Sequence, residues 1–407
     1  MGLFAKQSSR FWLPVVLFAF SLFFLLFQGG KFALMVFIIV AGLCIYLICG
    51  RLSGISRVHG IRRVTGVGHD AVIMAGTSLE VHFQAKIPGV WPIPYVTVKE
   101  CLSREGGEEH VLETLGIPDR KRQVEVSYRT PALRRGVYRF GVANCVTEDI
   151  FGLFQHKGRL DLPDKLLVQP QKAHIREWKQ LHQLFQGYRH YHIKSQSFQE
   201  SAQMNGIREF IHGDRLSRIH WNATAKTGTW KSKEFEKESF PKIMIVLDRY
   251  MYAYRSMEQF ELAVSIVASL FDYLAARHLP VGLLSAGKHT TYLEPKTGAS
   301  LQKAITNHLI DAEPDGTNPL LHVLKDRSRQ IASGSLLLFI SPEYGDATLP
   351  LLAWAKRLRL KPCHMWVASG VPETDHEQWL RHLQTTGVLG YTVTSLEELV
   401  LDLGGRI

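Results

Sequence analysis

Lys242-Ile243-Met244-Ile245-Val246-Leu247-Asp248-Arg249-Tyr250-Met251-Tyr252 contains a run of five consecutive apolar residues, Ile243 to Leu247, closed by a carboxylate. A short continuous apolar run of this kind reads as a strand buried on both faces. The chain repeats this theme toward its C-terminus. The pattern predicts a helix over Met257 to Arg277, a strand over Val281 to Ser285 and a helix over Leu301 to Ile310. Leu336 to Ile340 is a second fully apolar strand, Leu349 to Leu358 a helix and Met365 to Ala368 a strand, with helices over Asp375 to Gln384 and Leu396 to Leu403. Strands alternating with amphipathic helices specify a mostly parallel, doubly wound α/β sheet with helices on both faces. Ligands of such sheets bind at the carboxyl ends of the strands, which singles out Asp248 and Ser341. No glycine-rich phosphate loop follows either strand, which argues against a nucleotide or dinucleotide enzyme.

Upstream, residues 53–170 change to period-two runs such as Leu79-Val81-Phe83-Ala85, Val96-Val98 and Val124-Val126-Tyr128, broken by Pro88-Gly89, Gly106-Gly107 and Pro131. That pattern predicts a small antiparallel β-sandwich. Residues 171–205 are polar, and Trp178, Leu181, Leu184 and Phe185 at helical spacing suggest a short helix within a linker. His190-Tyr191-His192 has no carboxylate or thiol beside it in sequence, so it reads as surface histidine and not as a metal site.

The N-terminal 52 residues are of another kind. Phe11 to Phe27 and Phe32 to Cys49 contain no charged side chain, and each approaches the roughly 20 residues that cross a bilayer core. Only Gln28-Gly29-Gly30-Lys31 separates them, so they read as a transmembrane hairpin, with Pro14 early in the first helix where a missing backbone donor matters least. Residues 1–63 hold Lys6, Arg10, Lys31, Arg51, Arg57, Arg62 and Arg63 and no acid, which accounts for seven of the eleven net positive charges. Basic residues flanking apolar spans set orientation, and these place both ends and all soluble domains in the cytoplasm, the protein lying in the inner membrane with two spans. The same distribution argues against a nucleic-acid face. Cys44, Cys49, Cys101, Cys145 and Cys363 are scattered with no disulfide or zinc spacing.

The stretch Gly206-Ile207-Arg208-Glu209-Phe210-Ile211-His212-Gly213-Asp214-Arg215-Leu216-Ser217-Arg218-Ile219-His220-Trp221-Asn222-Ala223-Thr224-Ala225-Lys226, followed by Lys233-Glu234-Phe235-Glu236, resembles the signature of the domain of unknown function family 58. The segment from Arg135 to Phe154 looks like a second block of that family, and the order of hairpin, β-domain, signature (206–241) and α/β domain is similar. The resemblance implies a bacterial membrane protein with a von Willebrand factor A-like fold over 242–407. It also implies association with MoxR-type AAA+ ATPases and transglutaminase-like membrane proteins. It implies no known reaction.

Domains of the von Willebrand factor A type commonly hold a divalent cation through Asp-x-Ser-x-Ser, a threonine and a further aspartate, oxygen ligands suited to hard Mg²⁺. Here Asp248, Thr317 and Glu343 are the corresponding candidates, but tyrosines replace both serines and Arg249 adds a repelling cation. The site reads as degraded, and no cofactor is expected. Within the signature, Gly213-Asp214 has turn chemistry, Asp214 is within reach of Arg208 and Arg218, and Ile219 and Trp221 alternate as core contacts would. Arg215, Arg218 and Lys226 are candidates for partner binding, and Asp214 with His220 for an acid–base pair, although no serine or cysteine nucleophile motif stands nearby. The sequence therefore predicts a membrane-anchored scaffold or adaptor without enzymatic activity. The competing readings are a metal-dependent binding module and a hydrolase of unrecognised type. A reporter fused after Ile407 is expected to signal cytoplasmic location in a bacterial host. A periplasmic signal from that fusion would overturn the orientation.

Overall fold

A computed structural model describes residues 2–65, 72–107, 109–181, 204–211, 214, 216–235, 242–368 and 373–404. The chain divides into two compact units, residues 1–171 with 308–311, and 172–307 with 312–407.

The first unit opens with two apolar helices, α1 (Gly2–Gln28) and α2 (Gly30–Cys49). Gly29 and Gly30 both have positive φ, which a residue without Cβ adopts at no steric cost, so the chain reverses within a single residue. Phe18 and Phe37 meet across the pair at 5.6 Å, while Phe20, Leu26, Phe27, Ile39 and Ile48 are exposed. Helix α1 starts nine residues before the uncharged run, which puts Pro14 in its interior and not in its first turn. Local helix propensity of the flanking polar residues extends the helix beyond its apolar part.

Ten strands come next: β1 (His59–Thr65), β2 (Ile73–Met74), β3 (Glu80–Lys86), β4 (Val96–Arg104), β5 (Glu109–Gly116), β6 (Gln123–Arg129), β7 (Gly136–Phe140), β8 (Ala143–Glu148), β9 (Gln155–Leu160) and β10 (Asp164–Gln169). They form two sheets, one of order β1-β3-β6 and one of order β2-β10-β7-β4-β8-β9 with β5 added on β4. All pairings are antiparallel except β2 with β10. The period-two pattern acts as expected, since Phe83, Ala85, Val124 and Val126 of the smaller sheet share a core with Val96, Val98, Ala143, Cys145 and Leu160 of the larger. A buried polar cluster joins the two sheets. The carboxylate of Glu100 on β4 accepts from the Arg62 guanidinium of β1 at 2.5 Å and from the Tyr128 hydroxyl of β6. Arg62 also donates to the Leu162 carbonyl at 2.7 Å and lies over the Phe140 ring.

In the second unit, β11 (Met204–Glu209) and β12 (Lys231–Phe235) form an antiparallel pair, with α3 (Trp221–Thr227) in the connection. The α/β part is a six-stranded sheet of β13 (Ile243–Asp248), β14 (Val281–Ala286), β15 (Thr291–Lys296), β16 (Leu336–Ser341), β17 (Lys361–Val367) and β18 (Leu389–Val393), in the order β15-β14-β13-β16-β17-β18. Only β15 runs antiparallel. Its helices are α4 (Met257–Ala276), α5 (Ala299–Asp311), α6 (Leu320–Asp326), α7 (Leu349–Arg357), α8 (Glu373–Thr385) and α9 (Leu396–Asp402). Met244 and Val246 pack with Leu324, Leu352, Ala355, Trp379 and Leu383 of α6, α7 and α8 on one face. Helix α4 contacts β13, β14, β16 and β17 without entering that cluster, so it covers the opposite face, toward which Ile243, Ile245 and Leu247 point. Helix α4 has the length and apolarity of a membrane span, but most of it is buried in this core.

Two departures from the sequence reading are local. Residues 172–181, the expected start of a linker, belong to the second unit: Trp178 is buried and its indole N–H donates to the Tyr391 hydroxyl at 2.7 Å. Leu184, Phe185 and His190-Tyr191-His192 lie outside the described residues. Strands β15 and β18 and helix α6 are not separated from their surroundings by periodicity, because elements of five to seven residues are too short to show a period.

The buried Arg62–Glu100 pair links the two sheets, so truncating one partner strands the other charge, at a cost of about 3–5 kcal/mol. Glu100→Ala and Arg62→Ala are each expected to favour opening of the first unit by roughly two to four orders of magnitude. Modification of the buried Cys145 thiol by a thiol reagent reads this out. Unchanged Cys145 protection in both variants would show that the pair does not hold the sheets together.

Candidate functional site

Two places collect the polar residues singled out by sequence: the carboxyl end of β13 and the signature segment.

At the end of β13 the chain leaves the sheet between its neighbours β14 and β16, the point where an α/β sheet reverses its strand order. Asp248 is fully buried there. Its carboxylate accepts from the Tyr250 N–H at 3.0 Å and from the Ser341 hydroxyl, at the end of β16, at 2.8 Å. Ser341 in turn accepts from the Glu343 N–H at 3.1 Å, and the Tyr254 hydroxyl donates to the Asp248 carbonyl. Removal from water outweighs these two donors and pushes the Asp248 carboxyl up to about 7. Burial likewise raises Glu343.

Arg249 folds back instead of projecting into the site. Its guanidinium donates to the Glu313 carbonyl at 2.7 Å and to the Asp315 carboxylate at 2.7 Å. Gly287 makes the room for it, since a Cβ there would lie 2.5 Å from Arg249 Cζ. Gly316 pairs with Tyr250 in an isolated parallel bridge, and neighbouring Thr317 is exposed. Tyr250 and Tyr252 turn toward each other, edge to face at 5.6 Å. Asp248 is thus spent on internal hydrogen bonds, and the tyrosines carry no short hydroxyl in place of serine. Among the described residues no group of three or more His, Cys, Asp or Glu is placed to hold a metal ion. This donor set does not fit a divalent cation. Sequence reasoning missed the Arg249–Asp315 clamp because it joins loops far apart in the chain, and the Tyr254 hydroxyl because its return to the Asp248 carbonyl depends on how the loop after β13 folds.

In the signature, Asp214 is held by both nitrogens of Arg208, at 2.8 and 2.7 Å, and accepts from the Ile211 N–H at 3.1 Å. These donors keep its carboxyl below the usual range, the Arg208 contact first among them. The arrangement ties β11 to the turn beyond it. His220 caps α3, its Nδ1 accepting from the Ala223 N–H at 3.1 Å, a structural use that accounts for its place beside the helix. Ile219 is buried and bridges Ser232 of β12. Trp221, expected to be a core contact like Ile219, is 67 % exposed. The period-two reading fails there because a helix starts at Trp221, and helical geometry turns its side chain away from the direction that a strand would give. Trp230 is 53 % exposed and meets Phe210 edge to face at 5.3 Å, with Ile211, Leu216 and Lys226 also exposed. Arg218 is half-buried. Gly213 and Arg215 lie outside the described residues.

Residues 206–359 match the model of the family described as Protein of unknown function DUF58. The match takes in the DUF58 signature and the sheet through β16, including both places described above. The chain is also similar to the uncharacterized protein YeaD of Bacillus subtilis (strain 168), 24 % identical over 250 residues, which are 59 % of either chain. The match therefore spans less than two thirds of that relative's length. Among solved structures, proximal thread matrix protein 1 of the mussel byssus is 15 % identical over 40 % of this chain and 46 % of its own, with a TM-score of 0.28. The superoxide reductase of Ignicoccus hospitalis is 11 % identical over 27 % of this chain and 80 % of its own, with a TM-score of 0.18.

Because the folded state holds a proton on Asp248 that the unfolded chain has already released, the stabilisation it supplies is present below about pH 4 and is lost as pH rises through about 7. Asp248→Asn carries no such proton, and the Ser341 hydroxyl can reverse to accept from the amide. The parent is therefore expected to lose more melting temperature between pH 5 and pH 8 than Asp248→Asn. Parallel melting curves across that window would show that Asp248 titrates as an ordinary carboxyl.

Proposed function

We propose that this protein is a membrane-anchored scaffold that presents its DUF58 signature to a protein partner on the cytoplasmic side. The observation that carries the reading is the exposure of Trp221 within a motif in which Asp214, Arg208, Ile219 and His220 are used to build the fold. An exposed tryptophan in a segment that also exposes Trp230, Leu216 and Lys226 has the composition of an interface hot spot and not of a catalytic pocket. The partner proposed is a MoxR-type AAA+ ATPase, with a transglutaminase-like membrane protein as a further member of the assembly, on the family resemblance.

The finer architecture belongs to the same proposal. The hairpin α1–α2 spans the inner membrane twice with both ends inside, supported by the exposed apolar surface of α2 and the basic residues that flank the pair. The two antiparallel sheets with their shared core support a β-sandwich. The order of the six-stranded sheet, its antiparallel edge and the aspartate ending β13 support a von Willebrand factor A-like domain that has lost its metal. A role other than catalysis is favoured by the sealed Asp248–Ser341 pair, since both side chains are buried where a substrate would need to reach them.

Trp221→Ala is expected to leave the melting temperature of the full chain close to that of the parent, because surface substitutions usually cost within about 0.5 kcal/mol. The same variant should lose capture of the ATPase from solubilised membranes. Asp214→Ala should lower the melting temperature. Capture by Trp221→Ala at the parental level, or no ATPase captured by the parent, would overturn the proposal.

A further inference from the structure

The passage from α2 into the β-rich part of the first unit is a locked joint and not a tether. After Cys49 the chain makes two tight turns, Gly50–Ser53 and Ile55–Arg57, around Gly54. Gly54 has φ +73°, and a Cβ on it would lie 1.5 Å from the Pro88 carbonyl oxygen. Arg122 donates to the Ile87 carbonyl at 3.0 Å and also to the carbonyls of Trp91 and Ser53, clamping the loop after β3 to the end of the helix. On the other side a Cβ on Gly158 of β9 would lie 2.0 Å from the Ile55 carbonyl oxygen.

Two loops held at this joint carry large apolar side chains outward. Val90 is 96 % exposed, Ile150 71 % and Phe151 59 %. The second loop is rigid, because the Asp149 carboxylate accepts from the N–H groups of Phe151, Leu153 and Phe154. Both loops touch the same residue of α2. Tyr46 lies 5.5 Å from the Trp91 ring and 6.0 Å from the Phe151 ring. Tyr46 stands in the last turn of an apolar helix, the position where tyrosine and tryptophan gather at the level of lipid headgroups.

We propose that the loops around Val90-Trp91 and Ile150-Phe151 are a membrane-interface anchor: they enter the headgroup region around the end of α2 and seat the β-rich part on the bilayer. The proposal rests on the reading that α2 spans the membrane. The occupant is lipid and not a protein because Trp91 and Phe151 of the two loops meet α2 at Tyr46, so that the exposed apolar tips beside them adjoin the exposed apolar surface of α2, and Leu52 just after the helix is exposed as well. An amphipathic surface with aromatic and aliphatic tips typically sinks about 5–10 Å into the headgroup and acyl boundary.

The full chain, with its natural cysteines replaced, is reconstituted in phosphatidylethanolamine and phosphatidylglycerol vesicles and spin-labelled at one of four sites: Val90→Cys, Ile150→Cys, Ile39→Cys or Val111→Cys. Ile39 lies within α2, and Val111 is an exposed apolar residue of β5. Expected is a several-fold higher preference for collision with oxygen over an aqueous nickel chelate at Val90, Ile150 and Ile39 than at Val111. Labels at Val90 and Ile150 that behave like Val111, while Ile39 reports lipid, would overturn the anchor and leave the span standing. An aqueous signal at Ile39 would overturn both. Shielding of Val90 and Ile150 from both reagents would mean that protein covers the patch, which also overturns the proposal. In the chain with its cysteines intact, brominated lipid should quench a tryptophan component that Trp91→Phe removes. An equal quenchable fraction in parent and variant counts against the anchor irrespective of the cysteine replacements.

Discussion

Burial of β13 on both faces and both edges is the constraint on which the second unit depends. A strand in that position must satisfy its backbone N–H and C=O groups through neighbours on either side, here β14 and β16, and must offer apolar side chains to helices above and below. Ile243 to Leu247 meet that demand, and the sheet is assembled outward from them. Asp248 is the exception at the end of the same strand. Its carboxyl survives burial because Ser341 and the Tyr250 N–H are placed to receive it, and it holds the ends of β13 and β16 together. The position where related sheets bind ligands is occupied here by the protein's own hydrogen bonds.

The signature spends most of its marked residues on its own fold. Arg208 and Asp214 form a forked ion pair, His220 caps α3 and Ile219 reaches the interior, so these residue types are accounted for by the need to shape a small unit with little core of its own. The consequence of that shape is outward. With so few interior positions available, Trp221 and Trp230 remain at the surface. In the first unit a similar economy holds at the joint after α2, where glycines at 54 and 158 let the turns after the helix pack backbone to backbone against the β-rich part.

Sequence alone determined the elements whose signal is carried by many residues at once. The hairpin is legible because about 35 uncharged residues stand in two runs, the α/β alternation because its central strands are apolar without interruption, and the β-region because its period is two. That tyrosines and not serines stand two and four residues after Asp248 was legible too, since residue types need no coordinates to be seen. Tertiary structure decided what depends on contacts between distant segments: the Arg62–Glu100 bridge between the two sheets, the return of Arg249 to Asp315, and the packing of Trp178 on Tyr391 across more than two hundred residues. It also decided Trp221. Its alternation with Ile219 pointed inward, but one change from extended to helical backbone reverses a side chain's direction, and the position of that change is set by the His220 cap and by the strands on either side.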